Sequence, residues 1–304
     1  MTSYCGFSPE KDLPDLSGKV ILITGGTRGV GKTALLHLAK HNPAHVYFTG
    51  RNQPAADAVL AELPSNVKGT FLQCDLASLE SIRAAAEAFA EPRLDIFVAN
   101  AGIMAVPAGV TTDGFEIQFG TNHVGNAALL LRLLPVMRRT AEQPGSDVRF
   151  VALTSLGYRG HPRGGVDFAT LRSPQEGMAL GAWGRYAQSK LANIVFAREL
   201  ARREPRITSV AVHPGVVATE LVSTLGFWNR ALVYVTNPRG LMTPEQGGCN
   251  TAWAAAGKGV REKMAAGRVA FFEPVGKPSA GGAACWDDAL AKELWEWTEK
   301  EVGL

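Results

Sequence analysis

The chain has 304 residues, 46% of them hydrophobic, and a formal net charge of +3. That is enough apolar sequence to bury one large core, and the positive charge is too small and too dispersed for a nucleic-acid binder; no apolar run approaches the roughly 20 residues that span a bilayer. The four cysteines, Cys5, Cys74, Cys249 and Cys285, lack zinc or disulfide spacing, which points to reduced thiols in an intracellular, cytoplasmic setting.

Residues 1–15 read as a polar, proline-bearing extension without the apolar stretch of a signal peptide, and 16–304 as a single domain. The apolar run Val20-Ile21-Leu22-Ile23, within an expected strand at 19–24, leads into Thr24-Gly25-Gly26-Thr27-Arg28-Gly29-Val30-Gly31 and a helical stretch at 30–41. A strand, a glycine turn and a helix N-terminus together present backbone N–H groups and a positive dipole end to a phosphate. Two readings compete here. The spacing Gly-x-x-x-Gly-x-Gly departs from the G-x-G-x-x-G dinucleotide fingerprint, whereas 26–33 satisfies G-x-x-x-x-G-K-[ST] with Lys32 and Thr33, the signature of a P-loop nucleoside triphosphatase. A P-loop enzyme needs a magnesium-holding aspartate at the end of another buried strand. The passable candidate is Asp75, after Thr70-Phe71-Leu72-Gln73-Cys74, where Gln73 interrupts the apolar run.

Further strand-like runs at 45–49, 67–72, 94–99, 148–153, 207–212 and 268–272 alternate with helical runs at 54–62, 78–90, 115–140, 184–204, 243–256 and 286–300. This alternation predicts an α/β fold: one doubly wound Rossmann-type domain with a mostly parallel seven-stranded sheet and helices on both faces. Several polar motifs fall at the ends of these runs. Thr49-Gly50-Arg51-Asn52 follows the second strand, and Asn100-Ala101-Gly102 follows Ile96-Phe97-Val98-Ala99. Asn122-His123-Val124-Gly125 lies in the long helical stretch, and Thr154-Ser155 follows Phe150-Val151-Ala152-Leu153. Tyr186-Ala-Gln-Ser-Lys190 puts a phenol and an ammonium one helical turn apart on a shared face. A positive charge within roughly 4–6 Å favours the phenolate. A free tyrosine titrates near about 10, so one working near neutrality needs a shift of roughly 3 units, or about 4 kcal/mol, of which a single lysine supplies part. His213-Pro214-Gly215-Val216-Val217-Ala218-Thr219 follows the strand at 207–212.

Taken in order, these motifs resemble the short-chain dehydrogenase/reductase family in its non-extended form, from about Leu16 to near the C-terminus. Asn122-His123, Tyr186-Ala-Gln-Ser-Lys-Leu-Ala-Asn193 with Arg198-Glu199-Leu200, Thr243-Pro-Glu-Gln-Gly247 and Phe271-Phe272-Glu273-Pro274 are most similar to its retinol-dehydrogenase-like branch. One departure is the long segment at 161–184 between Ser155 and Tyr186, an insertion which that branch shares; Thr154 stays a second candidate for the Ser155 hydroxyl.

The resemblance implies a nicotinamide cofactor held by Gly25, Thr27, Arg28, Gly29, Val30, Gly31, Arg51, Asn52, Asp75, Leu76, Asn100, Ala101, Gly102, Tyr186, Lys190, Pro214, Gly215, Val217 and Thr219. Asp75 corresponds to the adenine-contacting carboxylate, Asn100-Ala101-Gly102 to the floor under the adenosine ribose, and Val217 and Thr219 to positions that hold the carboxamide. Where an NAD-binding unit carries an acidic residue about 20 positions past the turn, this chain has Arg51, with Arg28 as a second cation. Two guanidiniums that converge on a 2′-phosphate argue for NADP(H). By the same resemblance Tyr186 exchanges the proton, Lys190 holds the ribose and lowers the tyrosine's pKa, Ser155 stabilises the substrate oxygen, and Asn122 anchors a water in the relay. Hydride passes directly between nicotinamide and substrate carbon, so no metal is required. His123 and His213 read as packing and strand-end residues.

The segment at 225–234, rich in aromatic and aliphatic residues, lies where family members fold a lid (220–245). It favours a bulky apolar carbonyl or alcohol substrate. The resemblance also allows for a homodimer. A non-catalytic NADP-binding regulator on the same fold is the second reading; the joint presence of Asn122, Ser155, Tyr186 and Lys190 argues for the enzyme.

Overall fold

The computed structural model describes residues 4–223, 225–237, 240–267 and 271–303. Runs of β-branched and aromatic residues form strands β1 (Val20–Ile23), β2 (His45–Gly50), β3 (Lys68–Gln73), β4 (Ile96–Ala99), β5 (Val148–Leu153), β6 (Ile207–Val212) and β7 (Phe271–Glu273). These pair in parallel, in the order β3-β2-β1-β4-β5-β6-β7. The seven-stranded expectation falls one short. An eighth strand, β8 (Lys277–Pro278), adds antiparallel to β7 at the edge. Two residues, one of them proline, leave no period for sequence reasoning to detect, and an edge is where a sheet tolerates proline. Residues 268–270 of the expected last strand lie outside the described residues.

The helices are α1 (Pro9–Asp12), α2 (Gly29–Ala39), α3 (Gln53–Glu62), α4 (Leu79–Glu87), α5 (Ile117–Phe119), α6 (Gly125–Ala141), α7 (Ala182–Arg203), α8 (Glu220–Ser223), α9 (Phe227–Thr236), α10 (Pro244–Ala256), α11 (Val260–Gly267) and α12 (Asp288–Val302). Alternation along each strand sorts the core into two layers. Val20 and Leu22 of β1 face a cluster supplied by α4, α6, α7 and α12, while Ile21 and Ile23 face one supplied by α2, α3 and α10. Phe7 and Leu13, which flank α1, are buried in the second cluster, so residues 4–13 pack on the domain.

The long helical stretch expected at 115–140 is interrupted. Between α5 and α6 the residues Gly120–Val124 form a π-helical turn, and Asn122 sits in its middle. One residue inserted into the helical ladder leaves the apolar pattern on either side intact, which is why the sequence reads as one helix; such turns concentrate at functional sites.

The strand order reverses direction between β1 and β4. In an open α/β sheet, ligands bind beyond the carboxyl ends of the strands at that switch point.

Candidate active site

At the switch point the turn after β1 and the turn after β4 are locked together by Thr24. Its hydroxyl accepts from the N–H groups of Asn100 and Ala101 (3.0 Å each) and donates to Asn126 Oδ1 (2.7 Å). Asn100 Nδ2 returns to the carbonyls of Thr24 (2.8 Å) and Gly25 (3.2 Å). Gly25 holds a left-handed φ of +66°. A Cβ on Gly31 would lie 2.3 Å from both Asn100 Nδ2 and the Gly25 carbonyl, so this position admits no side chain.

Above this clamp opens a cleft of about 610 Å³. Gly25, Thr27, Arg28, Gly29, Val30, Gly31, Arg51, Asp75, Leu76, Asn100, Ala101, Gly102, Tyr186, Lys190, Pro214 and Thr219 all line it. Five other expected residues do not. Asn52 caps α3 by accepting from Ala55 N–H (2.9 Å). Gly215 packs against the Met242 side chain, and Val217 bridges Met242 through its backbone while its side chain packs on Gly247. Asn122 is fully buried, and Ser155 is half-buried next to Thr154, which does line the cleft.

The N-terminus of α2 opens into the cleft, and no side chain caps it. By contrast, Asn52, Ser78, Thr243 and Asp287 cap α3, α4, α10 and α12. Free first-turn N–H groups at a dipole's positive end suit a phosphate, and the Gly31 position lets one approach the backbone. Lys32 and Thr33 face elsewhere. Lys32 Nζ pairs with Glu62 (2.7 Å), and Thr33 Oγ1 bonds the Pro244 carbonyl (2.9 Å). A P-loop needs both on the nucleotide, so the dinucleotide reading of the turn fits the geometry and the P-loop reading does not.

At the other end of the cleft α7 delivers Tyr186 and Lys190, only 5% and 6% exposed. Lys190 Nζ donates to the Leu153 carbonyl (3.2 Å) and lies 5.7 Å from the centre of the Tyr186 ring. Burial brings the Lys190 ammonium down to about 8. The expectation that this lysine draws the phenol toward neutrality is corrected here: burial pushes Tyr186 up to about 12, and the Ser155 hydroxyl, bonded to the phenol, offsets part of that. Desolvation of the phenolate is the larger of the two effects on this group.

Ser155 Oγ also accepts from Gly157 N–H (3.1 Å), which fixes its rotamer toward the tyrosine. Thr154 donates its hydroxyl to the Lys190 carbonyl (2.7 Å) and is committed there. Asn122 is fully buried and its side chain clamps Ile103, accepting from its N–H (2.7 Å) and donating to its carbonyl (2.9 Å), with a further bond to Ser189 Oγ (2.9 Å). Gly102 is wedged between Asn122 and Lys190: a Cβ there would lie 2.9 Å from Asn122 Oδ1 and 3.4 Å from Lys190 Nζ.

His123, bonded to Thr298 (3.0 Å), is buried and lowered to about 3; His213 is lowered to about 4, burial being the main cause for both. The His213 backbone joins β6 to β7 and accepts from Asn250.

Sequence reasoning missed Asn126, whose side chain also bonds the carbonyls of Ala101 (3.0 Å) and Asn122 (3.1 Å). Its spacing of one helical turn from Asn122 was the available signal. It also missed Trp183, which packs edge-on to Tyr186 (6.2 Å) and donates to Asn229 of α9 (3.0 Å). Trp183 joins Val222, Leu225 and Val233, with Met104 and Ala105, in a small separate apolar cluster.

The short chain dehydrogenase family profile matches residues 19–155. The short-chain dehydrogenase/reductase drtF of Aspergillus calidoustus is 35% identical over 308 residues, 95% of this chain and 95% of its own. Retinol dehydrogenase 12 of Mus musculus is 37% identical over 213 residues, 68% of this chain and 64% of its own. Among solved structures, an uncharacterised protein from Mycobacterium paratuberculosis aligns with a TM-score of 0.74 at 26% identity, covering 97% of each chain. This chain belongs to the short-chain dehydrogenase/reductase family, in its retinol-dehydrogenase-like branch, and is an NAD(P)-dependent oxidoreductase.

Proposed function

We propose that this short-chain dehydrogenase/reductase uses NADP(H) to interconvert a carbonyl and an alcohol on a bulky apolar molecule, with Tyr186, Lys190, Ser155 and Asn122 as its proton-handling set. The observation that carries the reading is the meeting of the Tyr186 phenol, the Ser155 hydroxyl and the Lys190 ammonium at the end of a cleft whose other end is a side-chain-free phosphate cradle. The cofactor, when bound, supplies or accepts the hydride.

Each residue has a stated task. Tyr186 exchanges the proton with the substrate oxygen, and burial keeps the phenol above its ordinary value in the cofactor-free protein. Ser155 orients the same oxygen and stabilises charge on it. Lys190 spends one N–H on Leu153 and keeps two for ribose hydroxyls and the proton relay. Asn122 fixes the Gly102-Ile103 backbone beside Lys190, where a water would complete the relay.

The preference for NADP(H) rests on charge. Arg51 and Arg28 both line the cleft at the turn end, and a guanidinium there attracts a 2′-phosphate that an acidic residue would repel. Arg28 pairs with Glu220 of α8, so in binding a phosphate it exchanges one anion for another. The substrate class rests on Ile103, Val106, Pro107, Ala108, Ile117 and Leu221, which give the cleft an apolar wall, with α8 and α9 as the lid within 220–245. No helix among the described residues is long and apolar enough to cross a membrane. Cys74, Cys249 and Cys285 are free and buried, which supports the cytoplasm as the compartment.

The test is turnover of a panel of apolar ketones, aldehydes and alcohols with NADPH and NADH, by the wild type and by Tyr186→Phe. We expect NADPH-dependent reduction that falls at least about 100-fold in the variant, with NADPH affinity nearly intact. Activity within tenfold of wild type would sink the tyrosine's role, and NADPH binding without turnover of any compound would favour a regulator.

A further inference from the structure

Arg185, the residue immediately before Tyr186, is 4% exposed, and its partner Glu116 is fully buried. A buried ion pair is rarely there for stability, since apolar residues of similar volume do as well or better. Its geometry shows what it does instead. Arg185 Nη2 donates to the Val106 carbonyl (3.2 Å), Nη1 donates to the Gln175 carbonyl (3.3 Å), and Nε faces Glu116 Oε1 (3.3 Å). Those contacts reach three separate segments. Val106 belongs to the apolar wall of the cleft, Gln175 to the long segment between Ser155 and Tyr186, and Glu116 to the start of α5, which it caps by accepting from Phe119 N–H (2.6 Å).

Two of the three points carry strained backbone. Ala105, next to Val106, has a φ of +51°, and Gln175 has a φ of +50°. Residues other than glycine persist in the left-handed region only where their surroundings over-determine them, and such positions cluster at ligand sites. The Gln175 side chain is also bonded to Thr170 (2.8 Å) and Gln188 (2.5 Å), and the guanidinium ties its backbone carbonyl to that of Val106. Lysine could not replace it, because three diverging contacts need a planar fork of donors.

We infer that Arg185 is a positioning residue that sets the substrate wall 103–109 against the helix carrying Tyr186, and through that wall decides which carbonyl substrates fit. It touches neither the reacting atoms nor the cofactor cradle. The assignment of a substrate wall rests on the oxidoreductase reading above, whereas the mechanical claim, that Arg185 holds the wall, does not.

The experiment uses the full chain with Arg185→Lys and with the double variant Arg185→Met/Glu116→Gln. The double variant removes both charges together and keeps an acceptor on the α5 cap, so no buried charge is left unpaired. Amide hydrogen exchange at 103–109, NADPH affinity and KM and kcat for carbonyls of graded size are measured on each variant that retains wild-type circular dichroism. Exchange at 103–109 is expected to rise about tenfold or more in the double variant, with NADPH affinity within about twofold of wild type. KM for the bulkiest substrates should rise about fivefold or more, and KM for the smallest should hold. Arg185→Lys should move both readouts in the same direction by less, and it carries the test if the double variant fails to fold. Unchanged exchange and an unchanged order of substrates in a folded variant would overturn the inference. Wild-type protein that turns over nothing would refute the oxidoreductase reading instead, and exchange would still decide whether Arg185 holds the wall.

Discussion

Lys190 is a cation that burial has made costly. Its ordinary value is 10.5 and its folded value about 8, so between those pH values the unfolded chain binds a proton that the native state does not. The sign follows from that difference: stability attributable to Lys190 is full above its unfolded value and is lost as pH falls toward 8. At pH 7 the cofactor-free protein therefore carries a penalty, and Lys190→Met should stabilise it by up to about 3 kcal/mol, seen as a raised melting temperature. The same titration governs affinity for an anionic cofactor. NADPH binding is expected to be strongest below pH 8 and to weaken several-fold as pH rises through it, a step that Lys190→Met should abolish. A flat profile in the wild type would contradict the placement of this ammonium on the cofactor. Arg51 gives the complementary test at the other end of the cleft. Arg51→Asp should weaken NADPH by about 1.5–3 kcal/mol, the scale of a charged hydrogen bond, and leave NADH unchanged or improved. Equal losses in titrations of the two cofactors would remove Arg51 from the 2′-phosphate. The placement of Tyr186 and Lys190 on one face of a buried helix was legible in the sequence, because side chains four residues apart share a helical turn. The direction of the tyrosine's shift was not, because desolvation depends on what packs around a group rather than on what lies four residues away.

At the scale of the elements, the turn from β1 into α2 is where two sequence readings met. On this segment alone the spacing favours the P-loop, and the motifs along the rest of the chain decide against it; the direction in which Lys32 and Thr33 point agrees with that decision. Lys32→Ala should keep NADPH affinity within about threefold, since Lys32 pairs with Glu62 outside the cleft and exposed pairs contribute little. Gly31→Ala should lose most NADPH binding, because its methyl would fall on Asn100 Nδ2 and the Gly25 carbonyl, with a drop in melting temperature alongside. Isothermal titration of both variants checks the pair, and tight Mg-ATP binding lost in Lys32→Ala would restore the P-loop reading. The π-helical turn around Asn122, strand β8 and the Arg185–Glu116 pair escaped sequence reasoning for different reasons. An inserted residue leaves the flanking helical period undisturbed, a two-residue strand has no period at all, and a buried ion pair between residues 69 positions apart (185 − 116) has no local signature.

The whole molecule is legible to the extent that its layers follow strand alternation. The parallel sheet with helices on both faces follows from apolar runs such as Val20-Ile21-Leu22-Ile23 alternating with helical runs, whereas the cluster of Trp183 with Val222, Leu225 and Val233 joins segments far apart in sequence and has no local signature. Acid stability is a property of the whole. His123 and His213 have folded values of about 3 and about 4 against an ordinary 6.5, so below pH 6.5 the unfolded chain takes up protons that the native state refuses. Their contribution is full above pH 6.5 and is lost as pH falls, by up to about 1.4 kcal/mol per pH unit for each. Melting temperature should therefore fall steadily from pH 6.5 to 4.5, and less steeply in His123→Asn; a flat curve would mean these rings are not buried as described. The central claim is direct hydride exchange at the end of the cleft beside Tyr186, and the measurement that reaches it most directly is isotope transfer. With NADPH deuterated at the transferable position of the nicotinamide, the account predicts an alcohol product carrying one deuterium on the former carbonyl carbon, formed by the wild type and not by Tyr186→Phe. Product without the label, or deuterated NADPH that binds and is never consumed across the panel, would contradict it.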